Sequence, residues 1–453
     1  MSGDKEPTSI QRLAERFRGA LAELGSRADE ARLEAWAVLV HECMSGQGRT
    51  FHTVEHVFDV AAGGDALATL AALFHDTVYY QVDGGLPRRL GPLLEDAIEV
   101  RPNGIELRAL TAPRDALVAE VFGFQAGQVL SPFGGLNELL SALLAARQVG
   151  DAIGLAAHAQ VAACIEATIP FRKPDAGGKG AAEKLAERLA ALDARRGLGL
   201  GPTGVEAAVH RAVAVANRDV ANFAFEDPGA FLDNTWALLP ESNASLRAQV
   251  YTIKDYQTAM QKMEGFFSFL DPAVVYAGWK GRPEPRVLEQ MTARARKNVE
   301  VGKRYLRAKL VAAGVLRALA ELTGGDAPVA LLMGDLPHPG RTPQRMEDAL
   351  PPAPPVQAAD VQADVLGLLR DGRARPRGFD LQNAPLAAFL YAGLGDAAID
   401  RAVALIKAEP QGPERQRELL VSLPAGLLRA VVEATVPVAL TRSGRLKALL
   451  PAR

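Results

Sequence analysis

Apolar residues recur every three or four positions over most of residues 9–330, a spacing that predicts helices rather than strands. In "TSIQRLAERFRGALAEL" Leu13, Phe17, Leu21 and Leu24 share one face, and Thr8 with Gln11 has the spacing of a capping box. "TGVEAAVHRAVAVANRDVANF" opens on a second such pair, Thr203 and Glu206, and its stripe runs Val209, Val213, Ala216, Val220, Phe223. "ALATLAALF", residues 66–74, is apolar on every side, so its helix belongs inside a core. Gly-rich or charged stretches at 173–185 and 195–204 read as loops between helices.

The pattern breaks at 336–360, "LPHPGRTPQRMEDALPPAPPVQAAD", which holds seven of the 29 prolines. Proline removes a backbone donor and fixes φ, so neither a helix nor an inner strand runs through such a stretch. The expected organisation is a helical domain over 1–335, a partly extended linker over 336–360, and a small helical unit over 361–453. No period of the kind that marks solenoid repeats is visible.

Composition agrees with an all-α fold. Alanine and leucine dominate and aromatic residues make up only 6% of the 453 residues. A net charge of −2 leaves no electrostatic footprint for duplex nucleic acid or an anionic membrane. No apolar run approaches the ~18 residues of a membrane helix, and "MSGDKEPTSIQRL" has no secretory core. Cys43 and Cys164 are the only cysteines and form no zinc-type pair, which points to the cytoplasm.

Three of the seven histidines fall in "RTFHTVEHVFDVA" and "AALFHDTVYY". His75 and Asp76 close the all-apolar helix. An ionised Asp there is costly unless it is paired or bound to a metal. The alternative is a core histidine bonded to a backbone carbonyl, with Asp76 capping a neighbouring helix. His56 falls in the first turn of a second helix that Thr53 caps, with His52 just outside it. If that helix starts at Thr50 instead, His52 and His56 lie four apart on one face. Imidazole and carboxylate without thiolate is a ligand set for Zn, Mn, Fe or Ni. Asp219, on the row Ala208, Ala212, Val215, Asp219, is the candidate for a further carboxylate, or else half of an ion pair with Arg218. His158 and Glu166 line one flank of an apolar helix, either as proton carriers beside the metal or as its polar edge. His41, His210 and His338 have no partner pattern and read as structural or exposed. The Gly-rich "GLGLGPTG" lacks the Lys-Ser/Thr of a phosphate loop and reads as a turn.

"FHTVEHVFDV" followed by "AALFHDTVYY" resembles the signature of HD-domain proteins, particularly the small bacterial predicted metal-dependent phosphohydrolases. The close match covers roughly residues 36–80. That family's pattern of His, then His-Asp, then a distant Asp on helices of an α-helical bundle falls on His56, His75, Asp76 and Asp219. The chain departs from the pattern in carrying Tyr80 where an acid is expected and in lacking an Asn-Glu pair just downstream. Val78 and Tyr79 stand where HD enzymes acting on guanosine tetraphosphate carry Glu-Asp.

The resemblance implies an HD-like bundle with a C-terminal helical extension and a hydrolase acting on a phosphomonoester or phosphodiester, a nucleotide among the candidates. It implies a divalent metal (Mn, Zn, Fe, Ni, Co or Mg). Asp76 would hold the metal and orient water, and His52, His158 or Glu166 would handle protons. Arg88, Arg89, Arg172 and Lys173 are the candidates for holding the phosphate, or else they are solvated surface. The alternative is an HD-type ligand-binding or regulatory protein that does not turn its ligand over. The expected partners are a small phosphoester and, with nothing in the sequence against it, further copies of the chain.

Overall fold

The structure, a computed structural model, describes residues 6–102, 104–248, 250–337, 340–352, 360–375, 377–408 and 410–450. His338 and part of the proline-rich stretch lie outside them. The fold is all-α: about 65% of it is helical and 4% lies in strands. Among the described residues no helix is long and apolar enough to cross a membrane.

The chain divides into two compact units, and each is discontinuous in sequence. The first comprises residues 1–224 and 271–295, the second 225–270 and 296–453. The first contains α1 (Ser9–Glu23), α2 (Glu30–Met44), α3 (Val54–Ala61), α4 (Ala66–Phe74) and the short α5 (Tyr80–Asp83) and α6 (Gly91–Leu94). An antiparallel three-stranded sheet follows, of β1 (Ile98–Arg101), β2 (Gly104–Leu107) and β3 (Val129–Leu130), with α7 (Pro113–Phe122) inserted before its last strand. Then come α8 (Leu136–Val149), α9 (Leu155–Ala167), α10 (Ala181–Arg196) and α11 (Gly201–Asp219). In the second are α12 (Pro228–Trp236), α13 (Leu238–Ser242), α14 (Ile253–Phe269) and α15 (Pro285–Thr323) from residue 296 onward. They are followed by α16 (Ala330–Met333), α17 (Ala363–Asp371), α18 (Pro385–Lys407), α19 (Pro413–Ser422), α20 (Ala425–Thr435) and α21 (Ser443–Ala448).

Helix α4 is buried at all nine positions, as its unbroken apolar sequence requires. Asp65 caps its first turn by accepting from Ala68 N at 2.9 Å. It packs against α1, α3 and α9, and α9 in turn meets α7, α8 and α11, so these two helices form the axis of the first unit. Fully burying a side chain such as Leu70, Leu73 or Phe74 contributes about 1.5–3 kcal/mol each.

Local cap chemistry holds at one predicted position and fails at another. The Thr8–Gln11 capping box forms as its spacing predicts. The Thr203–Glu206 box does not, because α11 begins earlier, at Gly201, where Asp193 accepts from Leu200 N and Gly201 N at 2.9 and 2.7 Å. The stripe that runs to Phe223 also overshoots, since the α-helix stops at Asp219.

The described residues of the proline-rich stretch fall inside the second unit rather than between two units. The reason is a buried polar cluster that joins residues from both sides of it. Asp380 accepts from Trp236 Nε1 at 2.9 Å, Lys309 Nζ at 2.6 Å and Tyr256 Oη at 3.2 Å. Arg373 stacks over Trp236 and donates to Tyr305 Oη at 2.8 Å.

Candidate metal centre

Three helix ends deliver the four ligand-type side chains. His56 lies in the first turn of α3, His75 is the C-cap of α4 with Asp76 next to it, and Asp219 is the last residue of α11. One ligand atom from each lies within 4.8 Å of all the others. Asp219 Oδ1 is 3.0 Å from His56 Nε2 and 3.3 Å from His75 Nε2. Asp76 Oδ2 is 3.0 Å from His75 Nε2 and 3.4 Å from His56 Nε2. Arg218 takes no part in this. Its Nε donates to the Val60 carbonyl, so the Arg218–Asp219 ion pair is not formed.

The cluster calls for a cation. His75 Nδ1 sits 2.8 Å from the Ala72 carbonyl, which can only accept, so Nδ1 carries the hydrogen. In the neutral ring Nε2 is then a lone pair, and it converges with Asp76 Oδ2 and Asp219 Oδ1. Asp76 Oδ2 is buried without a hydrogen-bond partner. Either a second proton on imidazole or a divalent ion relieves that repulsion. The protonation balance points the same way. Burial pushes His56 down, but Asp219 and Asp76 outweigh it and raise it to about 9. Burial likewise opposes charge on His75, and the same two carboxylates carry it well above its ordinary value. Burial works against ionised Asp76, yet the imidazoles of His75, His52 and His56 hold it well below the usual carboxylate range. Asp219 is held at about 2 against burial by His56 and His75. His/Asp donors at helix ends, whose ligand atoms lie within 4.8 Å of one another, fit a divalent ion.

The backbone around Asp76 is braced by residues far away in sequence. Arg49, buried, donates Nη1 to the Asp76 carbonyl at 2.6 Å and grips Asp83 through Nε and Nη2 at 3.0 and 2.7 Å. Ser141 Oγ accepts from Val78 N at 3.0 Å, and Asn137 Oδ1 accepts from Tyr80 N at 2.9 Å.

Beside Asn137 stands Glu138, whose Oε2 is buried without a partner. Burial, then the charges of Asp76 and Asp219, raise Glu138 to about 8, opposed by a backbone bond and by Arg172. Asn137 and Glu138 reach this region from α8, across a segment that carries the small sheet. "LNELLSALL" gives no local hint that Asn137 and Glu138 lie here, because its apolar positions read as an ordinary buried helix.

The remaining candidates distribute as follows. His52 Nε2 is 3.9 Å from Asp76 Oδ2 and packs edge-on against Tyr79, so it belongs to the rim of the cluster. His158 is not brought to it. Its Nε2 lies 3.3 Å from the Ala146 carbonyl, and burial lowers its pKa. Glu166 is a structural anion held by Arg172 and Arg188, each at 2.6 Å. Eight residues put it two turns from His158 on α9, too far for one reaction centre to use both. Arg172 is thus oriented by Glu166 and keeps its Nε without a partner. Arg88, Arg89 and Lys173 are exposed, and Arg89 pairs with Glu42. Burial raises both Cys43 and Cys164 to about 12, so neither offers a thiolate.

Comparison with protein family models, curated proteins and solved structures returns no match.

Proposed function

We propose that the chain is a metal-dependent phosphohydrolase acting on a phosphomonoester or phosphodiester. The observation that carries this reading is the meeting of His56, His75, Asp76 and Asp219, with Asp76 Oδ2 buried 3.0 Å from His75 Nε2. The resemblance of residues 36–80 to HD-domain proteins supports it. A divalent ion, held by these four residues, would supply Lewis acidity to polarise a phosphoryl oxygen and acidify water. The chain's own groups do the rest. Glu138, at about 8, keeps its proton at neutral pH and gives it to the leaving oxygen. His52, at the rim beside Asp76, orients the attacking water. Arg172, fixed by Glu166, offers its Nε hydrogen to the negative charge that develops on phosphorus-bound oxygens.

The test is metal analysis of tag-free protein, followed by a phosphoester panel with Mn, Co, Ni, Zn and Mg scored for released phosphate. One bound first-row ion per chain and turnover with at least one ester are expected. Absence of any bound or rebound metal would sink this reading. Metal binding without turnover of any ester would favour an HD-type binding protein, to which Val78 and Tyr79 after His-Asp also point.

A further inference from the structure

A second feature of the first unit is a cleft of about 840 Å³ on the opposite flank of α11 from Asp219. It is lined by Gly63–Asp65 before α4, by Thr203, Glu206, His210, Arg211 and Arg218 along one face of α11, and by Lys280 and Arg282. Four of these groups are cations and two, Asp65 and Glu206, are carboxylates, which leaves an excess of two positive charges. Arg211 is taken by Asp65 and Lys280 by Glu206, at 2.7 and 2.6 Å. Arg218 forms no direct ion pair, although the charge of Asp65 acts on it from further away, and Arg282 has no carboxylate partner among the described residues. Arg218 Nη2 and His210 Nδ1 are also buried without hydrogen-bond partners.

Such a wall is costly unless an anion completes it. The guanidinium of Arg218 is tethered only by Nε to Val60 O, and burial disfavours its charge. Gly64 packs closely against this part of the wall, where a Cβ would stand 2.9 Å from Ala68 Cβ and 3.1 Å from Arg218 Nη2. Guanidinium forks match phosphate oxygens in pairs, and Arg282, exposed, is the second arginine of the lining without a carboxylate partner. The volume is that of a small-molecule site. Asp65, Glu206 and Thr203 offer acceptors for hydroxyl groups on the body of such a ligand.

We propose that this cleft is a second ligand site, distinct from the metal centre, that binds a phosphate-bearing small molecule through Arg218 and Arg282. Full-length protein stripped of metal by chelation is titrated calorimetrically with inorganic pyrophosphate, so that no ion at the His/Asp cluster can capture the probe. The expected result is one saturable site per chain, weakened about tenfold or more by Arg218→Gln and by Arg282→Ala, and unchanged by Arg172→Ala. Arg282 is exposed, so its variant reports on binding even if Arg218→Gln fails to fold. No saturation by about 1 mM overturns the proposal. So does binding that ignores Arg282→Ala, or binding that Arg172→Ala abolishes, which would place the probe beside the metal centre.

Discussion

A carboxylate at the last residue of a helix faces the negative end of the helix dipole, and Asp219 occupies that position in α11. Nothing in α11 itself stabilises it there. The imidazoles of His56 and His75 do, and a divalent ion would do so more strongly. Removing a ligand should therefore differ from removing a proton donor. Asp76→Ala is expected to lose both metal and turnover, whereas Glu138→Gln should keep the metal and lose roughly 10²–10⁴-fold in kcat. Metal content and single-turnover rates on the two variants decide this, and a Glu138→Gln enzyme as fast as the parent would remove Glu138 from the mechanism.

The same residues set a pH dependence. An imidazole whose folded pKa lies above its unfolded value adds stability in full below about 6.5. That contribution is lost as pH rises through about 9, the value for His56. Metal ligation needs neutral imidazole, so binding must expel these protons and strengthen as pH climbs from 6 towards 9. Calorimetry in buffers of different ionisation enthalpy should show proton release at pH 7, and metal-stripped protein should melt lower at pH 9.5 than at pH 7. Binding at pH 7 without proton release would mean that the histidines are not the ligands.

At the scale of elements, what was legible in the sequence is what lies within a turn or two of itself. The Thr8 box, the all-apolar α4 with His75 and Asp76 at its end, and His56 in the first turn of α3 are all local patterns. Asp219 could be picked out because an acid interrupts the border of an apolar row. Arg49 and Asn137 could not, because they act across 27 and 57 residues of chain on the segment that follows His75. The sheet escaped for a similar reason: its strands are two to four residues long, too short to establish an alternation. Arg49→Met tests the long-range brace. It leaves the nearly buried Asp83 carboxylate without its cation and releases the Asp76 carbonyl. Loss of about 3–5 kcal/mol in denaturant unfolding is expected, with metal affinity down about 10–100-fold. If stability falls and metal affinity stays, Arg49 supports the fold without positioning Asp76.

At the scale of the whole molecule, the proline content of 336–360 invites a truncation there, since every ligand candidate lies upstream. The second unit argues against it. Asp380, downstream, neutralises Lys309, which is 5% exposed and whose ammonium is disfavoured by burial. Glu264 on α14 is fully buried between Arg307 and Lys407, and Tyr251 bonds the Phe379 carbonyl. Gly314 in α15 leaves room for Ile406 and Leu419. Deleting residues 340–453 therefore strips α14 and α15 of their partners, leaving Lys309 without its carboxylate and an apolar surface open to water. Size-exclusion chromatography should show the truncated chain aggregating, and its thermal unfolding should lose cooperativity. A monomeric, cooperatively melting product of that truncation would show instead that residues 361–453 are a separable appendage, as the proline-rich stretch alone suggests.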